Sequence, residues 1–434
     1  MGVEATNQAA SGRLAGIDVT VSVPAPMAND PMRVTVAQSL LVLPSTYGLS
    51  AWLGALLILS LSPYDYPFKA ATWAIFGYTL FVFACSMASW TGRARASALC
   101  SDIIYHPFND RLLLIACTIV GGLGLALYVR DFSSFFGGVG SFFSTLAQSS
   151  LTVRGAAQDV ESAGFQVSYL SWIAIFIAIF TIMKDHGSKV IRLLAILIVI
   201  TFFMLNLAFV DRTRPTWIFF VCIIAVLLSR GIGKIQPRKV AYAVIVPVIF
   251  FFAFAIISGK YNENEGITDN FIQYIIGGPS YFNSLVGSTY TNSFTAVRTF
   301  LPISKALEQL GLIANVPPEV LDFRPVPFFT NVGTFLEPIY SDGGIWTLLA
   351  FLPIMVWTLD GFALSLFRMQ TVMSRFIWAN IVFTFFISFF VPKYNSTAAY
   401  VFLVVFFLDR LIRLSRGPSP EAAAALPASG HPIR

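Results

Sequence analysis

Runs of apolar residues alternate with short polar segments along nearly the whole chain. Ten of these runs approach the ~20 residues that a helix needs to cross the hydrocarbon core of a bilayer. They lie at about 39–62, 71–90, 111–129, 166–183, 190–210, 215–229, 240–258, 345–367, 376–391 and 399–415. The pattern therefore predicts an all-α fold, that of a polytopic integral membrane protein with about ten transmembrane helices.

Composition supports a membrane location and divides the chain into three parts. Hydrophobic residues make up 56% of the chain and charged residues 12%, whereas soluble domains carry about 25% charged residues. A soluble protein is therefore excluded. Residues 1–36 are weakly charged and residues 418–434 are low in complexity. Both segments are predicted to be disordered cytoplasmic tails that flank a transmembrane domain, 37–417.

The distribution of charge predicts the orientation. If both termini face the cytoplasm, the segments on that side hold 18 of the 28 Lys and Arg residues, although they are the shorter segments. Cytoplasmic loops of membrane proteins carry such an excess, so the long loop at 259–344 is predicted to lie outside. The net charge of +6 then reflects topology, and no nucleic-acid partner is predicted.

The interruption between residues 259 and 344 is long enough to hold a polar active site, and long loops usually carry function. Helical spacing of apolar residues in LPISKALEQLG, 301–311, predicts one short helix. Asn331 is expected to cap a second helix over about 332–340, and the turn at 342–344 to lead into the eighth span. We therefore predict short helices that lie on the outer membrane surface.

Arginines on the predicted outer side are candidates for binding an anion. Arg212 and Arg214 lie two residues apart in the polar segment DRTRPT, so on an extended turn both reach one anion. Guanidinium groups bind phosphate oxygens bidentately, which suits a diphosphate. Three further outward arginines complete the predicted pocket: Arg154, Arg298 and Arg324. The alternative is that each arginine forms a structural ion pair or contacts lipid headgroups.

Two outward carboxylates are candidates for a catalytic base. Glu337 and Asp342 flank Tyr340 where the predicted eighth span begins, and a carboxylate there can accept a proton from a substrate hydroxyl. The alternative for Asp342 is a turn residue before two glycines. The three histidines all fall on the predicted inner side or in the tail, and no metal-binding or GxSxG motif is present. The sequence thus predicts a mechanism without metal or cofactor.

The layout and one motif resemble the Wzy-type oligosaccharide repeat-unit polymerases. These proteins share the number of predicted spans, the outward arginines and a large outward loop before the last three spans. Their loop closes in a motif that corresponds here to Asn331, Thr334, Phe335, Tyr340, Asp342, Gly343 and Gly344. Gly343 stands where the family usually has an aromatic residue. The resemblance implies a GT-C-like fold and assigns Asn331 and Tyr340 to substrate binding.

The resemblance also implies an activity, that of a membrane glycosyltransferase on the periplasmic face of a bacterial inner membrane. Such enzymes move a growing glycan en bloc from one undecaprenyl diphosphate to the sugar of an incoming lipid-linked repeat unit. Undecaprenyl-diphosphate-linked oligosaccharide and membrane lipid are then the expected partners. A chain-length regulator protein is a further partner that the resemblance allows.

Three other functions remain open, of which a non-enzymatic membrane scaffold would leave the outward arginines unexplained. An O-antigen ligase shares the layout, but ligases generally carry a histidine in the large loop, and none lies on the predicted outer side here. A lipid-linked oligosaccharide flippase or transporter predicts charges in mid-span, internal repeats and short loops. The sequence shows none of these three features.

Overall fold

The computed structural model describes most of the chain between Val34 and Ser415. The described residues are 34–62, 66–100, 102–138, 140–141, 144–145, 163–185, 188–208, 213–229, 236–257, 267–287, 296–318, 321–326 and 328–415. Both predicted tails lie outside these ranges, apart from residues 34–36.

Helices dominate the described ranges. They are α1 (Val36–Leu40), α2 (Pro44–Ser60), α3 (Ala70–Ala98), α4 (Pro107–Phe135), α5 (Ala163–Val167), α6 (Leu170–Lys184), α7 (Lys189–Ala208), α8 (Thr213–Leu228), α9 (Pro237–Ile257), α10 (Ile267–Leu285), α11 (Leu301–Gln309), α12 (Leu336–Arg368), α13 (Val372–Phe386) and α14 (Thr397–Ser415). Two short strands, β1 (Arg324–Pro325) and β2 (Phe329–Thr330), form an antiparallel hairpin. About 78% of the structure is helical, which confirms the all-α prediction.

Several of these helices match a membrane in length and composition. Five described helices are long and apolar enough to cross one: Ala70–Ala98, Pro107–Phe135, Gly164–Lys184, Lys189–Leu207 and Leu336–Arg368. Shorter apolar helices cover Arg214–Leu228, Ala241–Phe250 and Val372–Phe386. Each of the ten predicted apolar runs overlaps a helix. The apolar pattern therefore predicted the helices, while the count of ten spans stays a prediction.

Helix α13 lies at the centre of the bundle, since it packs against α2, α6, α8, α12 and α14. Trp378 in α13 is fully buried, and its Nε1 donates to the carbonyl oxygen of Val42 at 2.9 Å. Just beyond α13, Ser388 Oγ accepts from Nε1 of Trp52 in α2, also at 2.9 Å. Hydrocarbon offers no hydrogen bonds, so buried polar groups must find partners within the protein. These two bonds join the first long helix to the last part of the bundle.

A buried carboxylate joins three helices. Asp360 of α12 is fully buried and accepts from Ser86 Oγ of α3 at 2.6 Å. It also accepts from the backbone amide of Ser45, in the first turn of α2, at 3.0 Å. The first amides of a helix have no partner within that helix, and a negative charge is favourable at that end. Asp360 therefore caps α2 from a neighbouring helix.

Helix α10 belongs to the long loop and lies against the bundle. Asn283 Oδ1 accepts from the Lys69 amide at 2.9 Å and from Thr72 Oγ1 at 2.7 Å. Nδ2 of the same residue donates to the Pro67 carbonyl oxygen at 3.2 Å. Residues 275–283 are buried. The side chain of Asn283 thus fixes α10 to the start of α3, and this apolar part of the loop packs on protein.

The start of α12 corrects one prediction. The helix begins at Leu336 after Phe335, and no side chain caps it, so Asn331 does not cap a helix over 332–340. The backbone amide of Phe335 donates to the carbonyl oxygen of Ser388 at 2.8 Å. This bond holds the residues before α12 against the end of α13. A tertiary contact therefore outweighs the local preference of Asn331 for a capping position.

The predicted turn at 342–344 is present as a kink inside α12. Gly343 has φ −174° and ψ 22°, and Gly344 has φ 67° and ψ −153°. The second combination is almost restricted to glycine. The kink separates the segment 336–342 from the apolar stretch 345–368, which is long enough to cross a bilayer because about 20 residues suffice.

Replacing Gly344 with alanine is expected to lower the free energy of unfolding by about 1–3 kcal/mol, because a Cβ is strained at this φ and ψ. Nothing lies within 4 Å of a Cβ placed at Gly344, so the cost arises from the backbone alone. Gly77→Ala in α3, which also has open space around its Cβ, is the matched control and is expected to be neutral or stabilising. Thermal unfolding in detergent compares the two, and equal midpoints would contradict the strain.

Candidate functional site

Most of the candidate side chains lie at one end of the bundle, the end that carries α10, α11 and the β-hairpin. We call it the loop end. Six predicted site residues are there: Arg298, Arg324, Asn331, Glu337, Tyr340 and Asp342. Arg154 and Arg212 fall outside the described residues.

An ion pair between Arg298 and Glu337 is the charged centre of the loop end. Nε of Arg298 donates to Oε1 of Glu337 at 2.7 Å, and the side chains are 12% and 3% exposed. Ser341 Oγ donates to the same oxygen at 2.8 Å, and Nη1 of Arg298 donates to the Pro318 carbonyl oxygen at 3.0 Å. Glu337 also lies in the first turn of α12, where negative charge is favourable. The protein itself therefore balances the charge of Arg298.

Asp342 binds the backbone next to this ion pair. Its Oδ1 accepts from the amide of Arg298 at 2.9 Å and its Oδ2 from the amide of Thr299 at 2.6 Å. Glu337, by contrast, has no hydrogen bond to Oε2 from any described residue. Of the two predicted bases, Glu337 thus has an oxygen that can receive a substrate proton, while Asp342 positions the chain that leads into α11.

Replacing Asp342 with asparagine is expected to speed hydrogen exchange in segment 296–309, because one of the two amide bonds loses its acceptor. An unsatisfied buried amide costs about 1–3 kcal/mol. Mass-spectrometric hydrogen exchange of peptides from this segment measures the effect. Asp322→Asn, which changes an exposed acid of the same loop, is the control. Equal protection in the two variants would exclude an anchoring role for Asp342.

The turn between α13 and α14 adds two side chains that bind the backbone near the ion pair of Arg298 and Glu337. Asn395 Nδ2 donates to the carbonyl oxygen of Arg298 at 3.1 Å, and Tyr394 OH donates to the carbonyl oxygen of Phe335 at 3.3 Å. Burial raises the pKa of Tyr394 well above its usual value, and the charges of Glu337 and Asp342 raise it further. Tyr394 therefore stays protonated and acts as a donor. We call Arg298, Glu337, Asp342 and Asn395 the Arg298 cluster.

Neither residue of this turn was predicted from the sequence as part of the site. Tyr394 and Asn395 lie in a short segment between apolar runs, and Asn395 is 97 positions from its partner Arg298. The sequence offered one indication of a role: the short turn between two apolar runs consists of polar side chains, Lys393 to Thr397. Nothing local to that group indicates which distant backbone it binds.

Arg324 differs from Arg298 because it has no acidic partner. Its Nη1 donates to Ser284 Oγ at 3.1 Å, and its guanidinium carbon lies 5.2 Å from the centre of the Tyr281 ring. No carboxylate of the described residues forms an ion pair with it. Burial raises the pKa of Tyr281, with the charge of Arg324 acting in the opposite direction and that of Glu337 adding to the rise. Arg324 is therefore a half-buried cation beside a neutral phenol.

Tyr340 and Asn331 hold different positions at the loop end. Tyr340 is 6% exposed, its OH accepts from the Gly287 amide at 3.2 Å, and its ring lies 5.4 Å from that of Phe282. It therefore packs α12 against α10. Asn331 is half-buried between the hairpin and α12. Tyr340 lies between Glu337 and Asp342 in α12, close to the charged centre, and no hydrogen bond joins Tyr340 to Asn331.

Arg214 is separate from the Arg298 cluster. Helix α8 begins at Thr213, so Arg214 lies in its first turn and not on the extended turn that the sequence suggested. The side chain is 3% exposed, and its guanidinium carbon lies 4.0 Å from the ring centre of Phe165 and 5.0 Å from that of Tyr169. Nη1 donates to Ser168 Oγ at 3.4 Å. Arg214 thus joins α8 to the start of α6 through aromatic rings.

One turn connects the two arginine sites. Lys393 Nζ lies 5.4 Å from the ring centre of Trp217, one helical turn along α8 from Arg214. The same turn carries Asn395, which binds the backbone of Arg298. Arg214 and the Arg298 cluster therefore lie at the same end of the bundle, and both adjoin the segment 391–396.

A small cavity lies beside α10 at the loop end. It measures about 230 Å³ and is lined by Leu59, Tyr66, Phe68, Trp73, Ile276 and Ser280. Ser280 is fully buried, and its hydroxyl has no hydrogen-bond partner among the described residues. The cavity thus combines aromatic walls with one unused hydroxyl, a combination that suits a small, partly apolar group.

The arrangement offers cations, one available carboxylate oxygen and hydrogen-bond donors. Among the described residues, no three or more His, Cys, Asp and Glu side chains come together as a metal site. Comparison with protein-family models, with curated proteins and with solved structures found no match, so the interpretation rests on the residues of this chain.

Proposed function

We propose that the protein is a GT-C-like membrane glycosyltransferase that polymerises undecaprenyl-diphosphate-linked oligosaccharide repeat units at its loop end. One observation carries the proposal. Arg324 is a cation without an acidic partner among the described residues, and the Tyr281 ring beside it is also within reach of the charges of Glu337 and Arg298. In that buried ion pair, Oε2 of Glu337 has no hydrogen bond from a described residue. A positive site next to a base is what the transfer of a glycan from a diphosphate needs.

Arg324 is the residue that best suits the leaving group. In the transfer, the bond between the anomeric carbon and the diphosphate oxygen breaks, and negative charge develops on the diphosphate. A fixed guanidinium stabilises that charge and binds phosphate oxygens bidentately. Arg298 is a weaker candidate for direct contact because Glu337 already balances its charge. Arg154, Arg212 and Arg214 remain predicted members of the anion site.

Glu337 is the proposed base. As the acceptor hydroxyl of the incoming unit bonds to the anomeric carbon, its proton passes to Oε2 of Glu337, while Oε1 stays bound to Arg298. Asp342 keeps Arg298 and Thr299 in place through their amides. Asn331 and Tyr340 are proposed to contact the glycan or the adjoining loop segments. The aromatic cavity with Ser280 is suited to one face of a sugar ring.

The location at the end of a helix bundle agrees with a lipid-linked substrate. A polyprenyl chain stays in the hydrocarbon, so its diphosphate lies at the depth of the headgroups. Glu337 and Asp342 precede the kink at Gly344 and so lie outside the apolar stretch of α12, as a site at headgroup depth requires. Charged groups there avoid the cost of a charge in mid-membrane.

Purified protein incubated with a lipid-diphosphate oligosaccharide is expected to give a ladder of glycans that differ by one repeat unit. Glu337→Gln, which keeps the shape of the side chain but removes the base, is expected to abolish the ladder. Absence of a ladder with competent substrate would overturn the proposal. Transfer only to a lipid A core acceptor would assign the protein to the ligases instead.

A further inference from the structure

A groove between α3 and α12 lies at the end of the bundle opposite the loop end. The two helices run parallel: Tyr78 OH of α3 bonds the Leu349 carbonyl of α12 near the loop end, and Arg368 bonds Ser97 at the far end. The groove has a volume of about 380 Å³. Its lining includes Trp90, Arg93, Trp357, Gly361, Ser365 and Arg368. We call it the α3–α12 groove.

Two tryptophans form the floor of the α3–α12 groove. The Trp90 ring fills the notch at Gly361, where a Cβ would lie 2.7 Å from the indole. Its Nε1 donates to the Trp357 carbonyl oxygen at 3.1 Å, and the two rings lie 4.9 Å apart. Trp357 is 51% exposed. The floor is therefore rigid and apolar, and one indole faces the surroundings.

Two arginines flank this floor. The guanidinium carbon of Arg93 lies 4.8 Å from the Trp90 ring centre. Arg368 donates from Nε to Ser97 Oγ at 2.8 Å and from Nη2 to the Arg93 carbonyl oxygen at 3.2 Å, which fixes its position. Neither arginine forms an ion pair with a carboxylate of the described residues. Two positive charges therefore meet at one apolar groove without a protein counter-charge there.

The depth of the groove matches a headgroup region. Both helices that form it are long and apolar enough to cross a membrane, and the arginines lie near their C-terminal ends. Tryptophan is enriched at membrane–water interfaces, and basic pockets between helices on the cytoplasmic side bind lipid headgroups. The positive-inside pattern places this end in the cytoplasmic leaflet.

We propose that the α3–α12 groove binds one anionic phospholipid of the cytoplasmic leaflet. The phosphate lies between Arg93 and Arg368, and the glycerol and upper acyl carbons lie on Trp90 and Trp357. A net negative headgroup is required because a zwitterionic one brings an ammonium group next to two guanidinium groups. A soluble phosphate leaves the tryptophan floor uncovered, so the lipid is the better occupant.

The test is native mass spectrometry of the full-length protein in detergent, titrated with phosphatidylglycerol, phosphatidylcholine or inorganic phosphate. One tightly held phosphatidylglycerol is expected, with affinity at least about tenfold above that for phosphatidylcholine. Arg93→Gln combined with Arg368→Gln is expected to remove this preference. Arg95→Gln, which removes an exposed arginine of α3 outside the groove lining, is the matched control and is expected to keep it.

A second variant tests the proposal independently, in case the double substitution prevents folding. Ser365→Phe fills the groove and leaves both arginines in place, and it is expected to lose the bound lipid as well. Thermal unfolding without added lipid checks that each variant is folded. Equal affinity for both phospholipids, retention of the lipid by the double variant, or competition by inorganic phosphate alone would each overturn the proposal.

Discussion

Replacing Arg298 with alanine is expected to destabilise the folded protein by about 3–5 kcal/mol, the cost of leaving one member of a buried ion pair without its partner. Glu337, whose side chain is 3% exposed, would lose its countercharge. The guanidinium also binds the Pro318 carbonyl oxygen, so segment 296–318 loses a second attachment. Both effects act at the loop end, and the helices beyond it keep their contacts.

Thermal or denaturant unfolding in detergent measures this loss, and a double-mutant cycle identifies its cause. Adding Glu337→Gln to Arg298→Ala removes the stranded charge, so the double variant is expected to be more stable than Arg298→Ala alone. Arg130→Ala is the matched control, since Arg130 pairs with Asp131 on the surface with its side chain 71% exposed. Surface pairs contribute about 0–1 kcal/mol. A loss no larger than that of the control would contradict a buried, stabilising pair.

Replacing Arg324 with alanine is expected to reduce glycan transfer about 10- to 100-fold while changing stability little. Hydrogen bonds to a charged group contribute about 1.5–3 kcal/mol, which corresponds to that range of rates. Arg324 contacts Ser284 and the Tyr281 ring and forms no ion pair among the described residues, so its loss leaves no buried charge behind. The two arginines are therefore expected to differ, because Arg298 is predicted to stabilise the fold and Arg324 is proposed to bind the substrate.

Initial rates over a range of lipid-diphosphate concentrations measure the effect of Arg324→Ala. Arg324→Lys is expected to recover part of the rate, since lysine keeps the charge but loses the bidentate geometry. Arg130→Ala, another arginine of the loop end, is expected to transfer at the wild-type rate. Wild-type transfer by Arg324→Ala with an intact ladder would remove Arg324 from the anion site and leave Arg154, Arg212 and Arg214 as the remaining candidates.

Local patterns predicted much of the fold. Helix α11 (301–309) follows the apolar spacing of LPISKALEQLG, and Pro302 in its first turn has no amide that a helix would need. The turn before the eighth span follows from Gly343 and Gly344, because the second glycine adopts a backbone conformation that other residues avoid. Such elements are determined by residues that are adjacent in sequence, so they can be predicted from the sequence alone.

Other elements depend on distant partners, and there the predictions failed or were silent. Asn331 is a good capping residue, yet α12 begins only after Phe335. The backbone amide of Phe335 donates to the carbonyl oxygen of Ser388, a contact that the local sequence does not indicate. The hairpin of β1 and β2 went unpredicted because its strands are two residues long and carry no alternation of apolar and polar positions. The arginines predicted to face outward formed one set in the sequence. Their different partners, Glu337 for Arg298 and Tyr281 for Arg324, are visible only in the structure.

The central position of α13 has a consequence for when the helices can pack together during synthesis. Trp378 bonds Val42, 336 residues earlier in the chain. At about 5–20 residues per second, a ribosome needs roughly 20–70 s to cover that distance. During this interval α2 is already synthesised and can pack on α3, but α13, on which it also packs, does not yet exist. Completion of the bundle therefore waits for the last quarter of the chain, and a ribosome that stops before residue 372 releases helices that lack their common partner.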